Sequence, residues 1–174
     1  VMDTSTYTHL CRAGHQEIIE KLAPGGVVLV PNEVNSEIER GRERHANIPP
    51  VAAVHWAEIA VLTEVEVWSQ LQVKAQMGGD LSEHLGECAV IACARHRDMV
   101  AILDERAAVA QARRFQVTTR DTLWIVIEAY KVLFGRDRDL TARVVDDLLT
   151  TGMYLPVSSG ESVLSWAYEQ GLLP

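Results

Sequence analysis

Four carboxylates stand where a folded chain can gather them. Two apolar runs end directly in an acid: Val1-Met2 runs into Asp3, and Met99–Leu103 runs into Asp104. Glu37 lies early on the polar stretch that follows the run Val27–Val30, and Glu87 heads the Ala-rich stretch that precedes Met99. In an open parallel sheet the carboxyl ends of the strands line the ligand crevice, so all four acids can face one edge. Carboxylates brought together repel one another unless a proton or a cation intervenes. Oxygen ligands without His or Cys favour a hard divalent ion, Mg²⁺ or Mn²⁺. Such an ion activates water and neutralises a phosphoryl oxygen during in-line displacement, so phosphodiester hydrolysis is the expected chemistry.

Each acid also has a plainer use. Asp3 precedes Thr4-Ser5 and suits a helix N-cap, and Asp104 can cap the next helix in the same way. Glu87 in a first turn is favoured by the helix dipole alone. Glu37 shares its stretch with Glu33, Glu39 and Glu43, the pattern of a solvated face. Taken singly, each reads as structural; their shared edge is what points to a site. His84, Cys88, Cys93 and His96 form a zinc set on paper only. On a helix, positions 88 and 93 point about 140° apart, so the cysteines are expected to pack in the core. Arg40, Arg42 and Arg44 read as a solvated run, but Arg40 and Arg44 share a helix face and can hold a phosphate. Arg113, Arg114 and Arg120 fall in a locally basic stretch. Trp56, Trp68, Trp124 and Trp166 read as core or interface anchors rather than base-stacking platforms.

The elements that must position these residues alternate. Strands are predicted at 1–2, 27–30, 57–63, 99–103 and 117–118, with a helix the alternative at 57–63. The runs 27–30 and 99–103 are apolar throughout, as in strands buried on both faces. Helices are predicted at about 5–13, 15–22, 32–44, 64–77, 86–97, 105–115 and 121–134, punctuated by Pro and Gly. This order gives an α/β three-layer sandwich with a mostly parallel central sheet. Beyond it, Leu140, Val144, Val145, Leu148 and Leu149 make a helical stripe, and 160–171 a further helix. We expect a first unit over 1–135 and a helical hairpin over 136–174 packed on it.

Composition narrows the classes. The chain has 174 residues, is 48% hydrophobic and carries a formal charge of −8. Such a chain can bury a sizeable core as one domain. Global acidity argues against nucleic acid as a partner. The charge is uneven, however: residues 95–120 hold six arginines against three acids. No apolar run reaches the ~20 residues of a membrane span. No basic segment followed by an apolar stretch marks a signal peptide. Cys11, Cys88 and Cys93 have no framework spacing, which predicts free thiols and a cytoplasmic setting.

The sequence resembles the PIN domain family, in particular the VapC-like branch of predicted nucleic-acid-binding proteins. The resemblance rests on Asp3-Thr4-Ser5, on Val30-Pro31 with Val34 and Glu37, on Leu85-Gly86-Glu87, and on Ile102-Leu103-Asp104 with Arg106 and Ala110. It covers about 1–135. It implies a Mg²⁺- or Mn²⁺-dependent endoribonuclease acting on single-stranded RNA, often the toxin paired with an antitoxin protein, and a homodimer. It implies that Asp3, Glu37, Glu87 and Asp104 hold the metal and carry catalysis. Ser5 matches a hydroxyl that orients a ligand, and Arg40, Arg113 and Arg120 are expected to bind phosphates. Where this branch carries Gly-Thr before its last large helix, the chain has Asp121-Thr122, so Asp121 is either a fifth metal carboxylate or a helix cap. The insert at 45–80 also departs from the compact toxins. The alternatives to be separated by experiment are a non-catalytic PIN-like module that binds nucleic acid or protein, and a DNA-directed nuclease.

Overall fold

The protein is described by a computed structural model covering residues 1–80 and 82–174. Its strands are short and all their ladders are parallel. β1 (Val28–Pro31) pairs with β2 (Ala57–Ala60), and β3 (Ala101–Ile102) pairs with β4 (Thr119–Arg120). The N-terminal residues stitch the two pairs together. Met2 bridges Ile102 in parallel, the Met2 amide donates to the Leu29 carbonyl at 2.9 Å, and the Ile102 amide donates to the Val1 carbonyl at 2.8 Å. The N-terminal segment therefore lies between β1 and β3. The chain moves outward to one side for β1 and β2, then returns for β3 and β4. That reversal of strand order creates a crevice at the carboxyl ends of the two central segments, where Asp3 and Asp104 follow.

Helices flank this sheet in two groups. α1 (Thr4–Arg12) packs on α3 (Asn32–Arg42), and α3 packs on α5 (Leu85–His96), which lies against β1 and β3. α4 (Glu64–Met77) and α6 (Arg106–Arg114) adjoin α5. The second group joins α2 (Gln16–Leu22) to α7 (Thr122–Val132), with α8 (Arg138–Thr150) on α7 and α1 and α9 (Val163–Glu169) on α8. α5 is buried from Cys88 through Ala94, as its Ala-rich sequence requires of a helix against a sheet. No helix among the described residues is long and apolar enough to cross a membrane.

The strands expected at 99–103 and 1–2 shrink to Ala101–Ile102 and a single bridge at Met2, and two further positions differ from expectation. The last strand is at Thr119–Arg120, not 117–118, because Val117 still closes α6 by donating to the Ala112 carbonyl, and Gln116 turns the chain with a φ of 59°. The strand expected over 57–63 stops at Ala60, and Val61 is exposed.

α4 is mounted with its polar side inward. Glu66, Ser69 and Gln70 are buried, while Val65, Trp68 and Leu71 are exposed. The Glu66 carboxylate accepts from Arg97 Nε at 2.7 Å and from the Thr63 amide at 2.7 Å, and Ser69 Oγ meets His96 Nε2 at 2.7 Å. These bonds hold the helix orientation, so the apolar face cannot rotate inward. They also hold the Glu66 carboxyl at about 2, chiefly through Arg97.

Candidate metal centre

The acids are positioned by backbone ends. Asp3 is the N-cap of α1, and its Oδ1 accepts from the Thr6 amide at 2.9 Å. Asp104 leaves β3 and is gripped by two helix starts. Its Oδ1 accepts from the Thr122 amide at 2.9 Å, and its Oδ2 accepts from the Thr122 hydroxyl at 2.7 Å and the Thr6 hydroxyl at 3.2 Å. The two threonine hydroxyls are themselves 3.0 Å apart. Glu87 sits in the first turn of α5. Glu37 reaches across from α3 and accepts from the Thr4 hydroxyl. Its carboxylate occupies the space over Gly86, where a Cβ would lie 2.9 Å from both Glu37 oxygens.

A cleft of about 1200 Å³ opens at this edge. Asp3, Glu87, Asp104, Glu105 and Asp121 line it, together with Ser5, Arg106 and Arg113. Arg40 is exposed on α3, where its Nε donates to its own helix at Ser36. Arg120 is exposed on β4 with its guanidinium 5.4 Å from the centroid of the Trp124 ring. Neither Arg40 nor Arg120 is among the cleft-lining residues. Asp121 caps α7, accepting from the Trp124 amide at 2.7 Å, and it also lines the cleft.

Crowding shows in the protonation of the group. Burial pushes Asp3 up to about 8, and the neighbouring charges of Asp104 and Glu87 push the same way, against the hydrogen bonds from Thr6. Burial also raises Glu87, with Glu37 and Glu105 adding to it. Asp121 is raised by burial and then by Asp104. One group of three among the described residues brings ligand atoms within 4.8 Å of one another: His84, Glu87 and Glu105. His84 Nδ1 lies 3.2 Å from Glu105 Oε2. Asp3, Glu87 and Asp104 line the cleft, but Glu37 is not among its lining residues, and the four expected acids do not form so close a group among the described residues. Cys88 and Cys93 are free and buried, and His96 is turned to Ser69.

Sequence reasoning passed over Thr6 and Thr122. Their signal is faint: a threonine in the first turn of a helix that starts at a strand end. In the sequence Glu105 stands out only by following Asp104, and His84 only as a member of the paper zinc set.

A family model for the PIN domain matches residues 1–169. The chain belongs to the PIN domain family. No curated protein and no solved structure matches it. PIN domains are in general metal-dependent nucleases, that is, hydrolases that bind nucleic acids. The residues of this PIN domain fit a divalent cation. They offer a hard oxygen donor set, and its buried members repel one another without a counter-charge.

Proposed function

We propose that this PIN domain is a Mg²⁺- or Mn²⁺-dependent endoribonuclease that hydrolyses single-stranded RNA. The observation that carries the reading is the convergence of Asp3 and Asp104, from adjacent strand ends, with Glu87 in one open cleft. Asp3, Glu87 and Asp104 would hold the cation, with Glu37 holding a second one or orienting the attacking water. A bound divalent ion supplies Lewis-acid stabilisation of the phosphoryl charge and an acidified water.

The rest follows from the chain's own side chains. Thr6 and Thr122 fix Asp104 at the cleft, filling Oδ2 with two hydroxyl bonds and leaving Oδ1 a lone pair for the cation. Thr4 holds Glu37 so that its second oxygen stays available. Arg113, projecting into the cleft from α6, supplies a fork for a phosphate flanking the scissile one. Ser5 lines the same wall and can orient a ligand. The resemblance to the VapC-like branch extends the reading to the toxin of a toxin–antitoxin pair. The exposed Val65, Trp68 and Leu71 of α4 supply an uncovered surface for an antitoxin or a second copy. Three buried free cysteines suit a cytoplasmic location.

The test is cleavage of end-labelled single-stranded RNA, duplex RNA and single-stranded DNA with Mn²⁺, Mg²⁺ or EDTA. Cleavage should require the metal and favour single-stranded RNA. Losing an outer-shell partner of a metal ligand costs about 10–100-fold, so Asp104→Asn should cost at least the upper figure. Equal cutting by Asp104→Asn would overturn the site, and preferred cutting of DNA the substrate class. No cutting under any metal would leave a binding module.

A further inference from the structure

We infer that Tyr154 is a stacking platform for an unpaired base of the strand held in the metal cleft. The inference rests on the single-stranded RNA reading above and deepens it. Tyr154 is 81% exposed, and it lines the same cleft as the acids. Among the described residues it is the only cleft-lining Phe, Tyr or Trp. Trp68 lies on α4 away from the cleft, and Trp124 is packed under Arg120.

The segment that carries Tyr154 is held in place. Met153, Leu155 and Val157 are buried while Tyr154 and Pro156 are exposed, so the extended chain is pinned on both sides of the ring. A second tie runs to the catalytic edge. His9 Nδ1 meets Thr151 Oγ1 at 2.6 Å, and the Thr151 hydroxyl donates to the Leu148 carbonyl at 2.6 Å. Since that hydroxyl has one proton, His9 Nδ1–H is the donor to it. Burial holds His9 down to about 4, so the ring is neutral at pH 7 and acts as a tether rather than a cation. His9 belongs to α1, the helix that Asp3 caps. The ledge is thus fixed to the helix that positions the first acid.

The cleft then divides by chemistry. Acids line it, Arg106 and Arg113 enter it from α6 in the helix group of α5, and Tyr154, Pro156 and Gln170 enter it from segments of the group of α8. A strand whose scissile phosphodiester lies at the acids can then meet the arginines with a flanking phosphate and Tyr154 with a base. Stacking on an aromatic ring needs a base that is free of its neighbours and its pair, so the ledge selects single strands. The Gln170 amide can both donate to and accept from a base edge.

The test compares binding of two fluorescein-labelled oligoribonucleotides by anisotropy, with Ca²⁺ in place of the catalytic ion. One is an ordinary single strand and the other is abasic throughout, with the same length and charge. Tyr154→Ala should weaken binding of the ordinary strand about tenfold. It should leave the abasic strand within twofold, and Tyr154→Phe should retain wild-type affinity. The ring's exposure makes both variants compatible with folding. If Tyr154→Ala weakens both strands alike, or neither, stacking is overturned while the nuclease reading stands. If wild type binds neither strand, the single-stranded RNA reading falls and this inference falls with it.

Discussion

Asp3 carries two duties that pull against each other. As an N-cap it must accept from the Thr6 amide, which favours the ionised form; buried beside Asp104 and Glu87 it resists ionising. Asparagine caps a helix as well as aspartate does, so Asp3→Asn separates the two duties. It keeps the cap and removes the charge. Without metal at pH 8, Asp3→Asn should be more stable than wild type, by about 1 kcal/mol or more, or some 2–4 °C per kcal/mol for a chain of this size. Its gain in stability on adding Mn²⁺ should shrink. A melting temperature below that of wild type in EDTA would show that the carboxylate is not the source of strain. Gly86 works at the same scale by what it lacks. Its missing Cβ leaves the room that the Glu37 carboxylate fills, which ties the Leu-Gly-Glu triplet of α5 to an acid fifty residues earlier in the sequence.

Among the elements, the two helix starts at Thr4 and Thr122 do for Asp104 what outer-shell groups do for any ligating carboxylate. Thr122→Val keeps the shape of the side chain and removes the hydroxyl that lies 2.7 Å from Asp104 Oδ2. Cleavage should fall about 10–100-fold with Asp104 still present; a Thr122→Ser variant should restore most of it. Full activity in Thr122→Val would show that the Thr122 amide and Thr6 suffice. How far such features can be read from sequence depends on their physics. The α/β alternation was legible because runs such as Val27–Val30 and Met99–Leu103 are apolar at every position, the pattern of covered strands, even though Val100 is exposed and only Ala101–Ile102 of the second run is strand. The acids at their ends were legible for the same reason. The threonine clamp was not, because a first-turn Thr has the same signature whether it holds a distant carboxylate or nothing. The last strand was misplaced by two residues, since Val117 is as apolar as a strand residue but is spent on closing α6. The inward polar side of α4 was hidden too. No periodicity distinguishes a helix that buries Glu66 under Arg97 from one that buries Val65 and Trp68.

For the whole molecule, the charge of −8 has a local cause as well as a global one. Carboxylates crowd one edge of the sheet, and their cost depends on pH. Asp3 has a folded value of about 8, raised above the ordinary 3.8. Between those values the folded state binds the extra proton, so its contribution to stability falls as pH rises from about 4 to 8. Glu66 behaves oppositely. Its value of about 2 lies below the ordinary 4.5, so its contribution is present above pH 4.5 and is lost as pH falls toward 2. The metal-free protein should therefore be most stable in mild acid. On the proposed assignment a cation at the cleft would replace the proton on Asp3, so binding should release that proton and strengthen as pH rises. Melting curves in saturating Mn²⁺ and in EDTA should differ little at pH 5 and clearly at pH 8, where a ligand at 100 times its Kd adds about 2.7 kcal/mol. RNA affinity should follow the same course, weak without the ion despite Arg106 and Arg113, and reduced by added salt. A Mn²⁺ shift of equal size at pH 5 and pH 8 would mean that the ion binds away from Asp3.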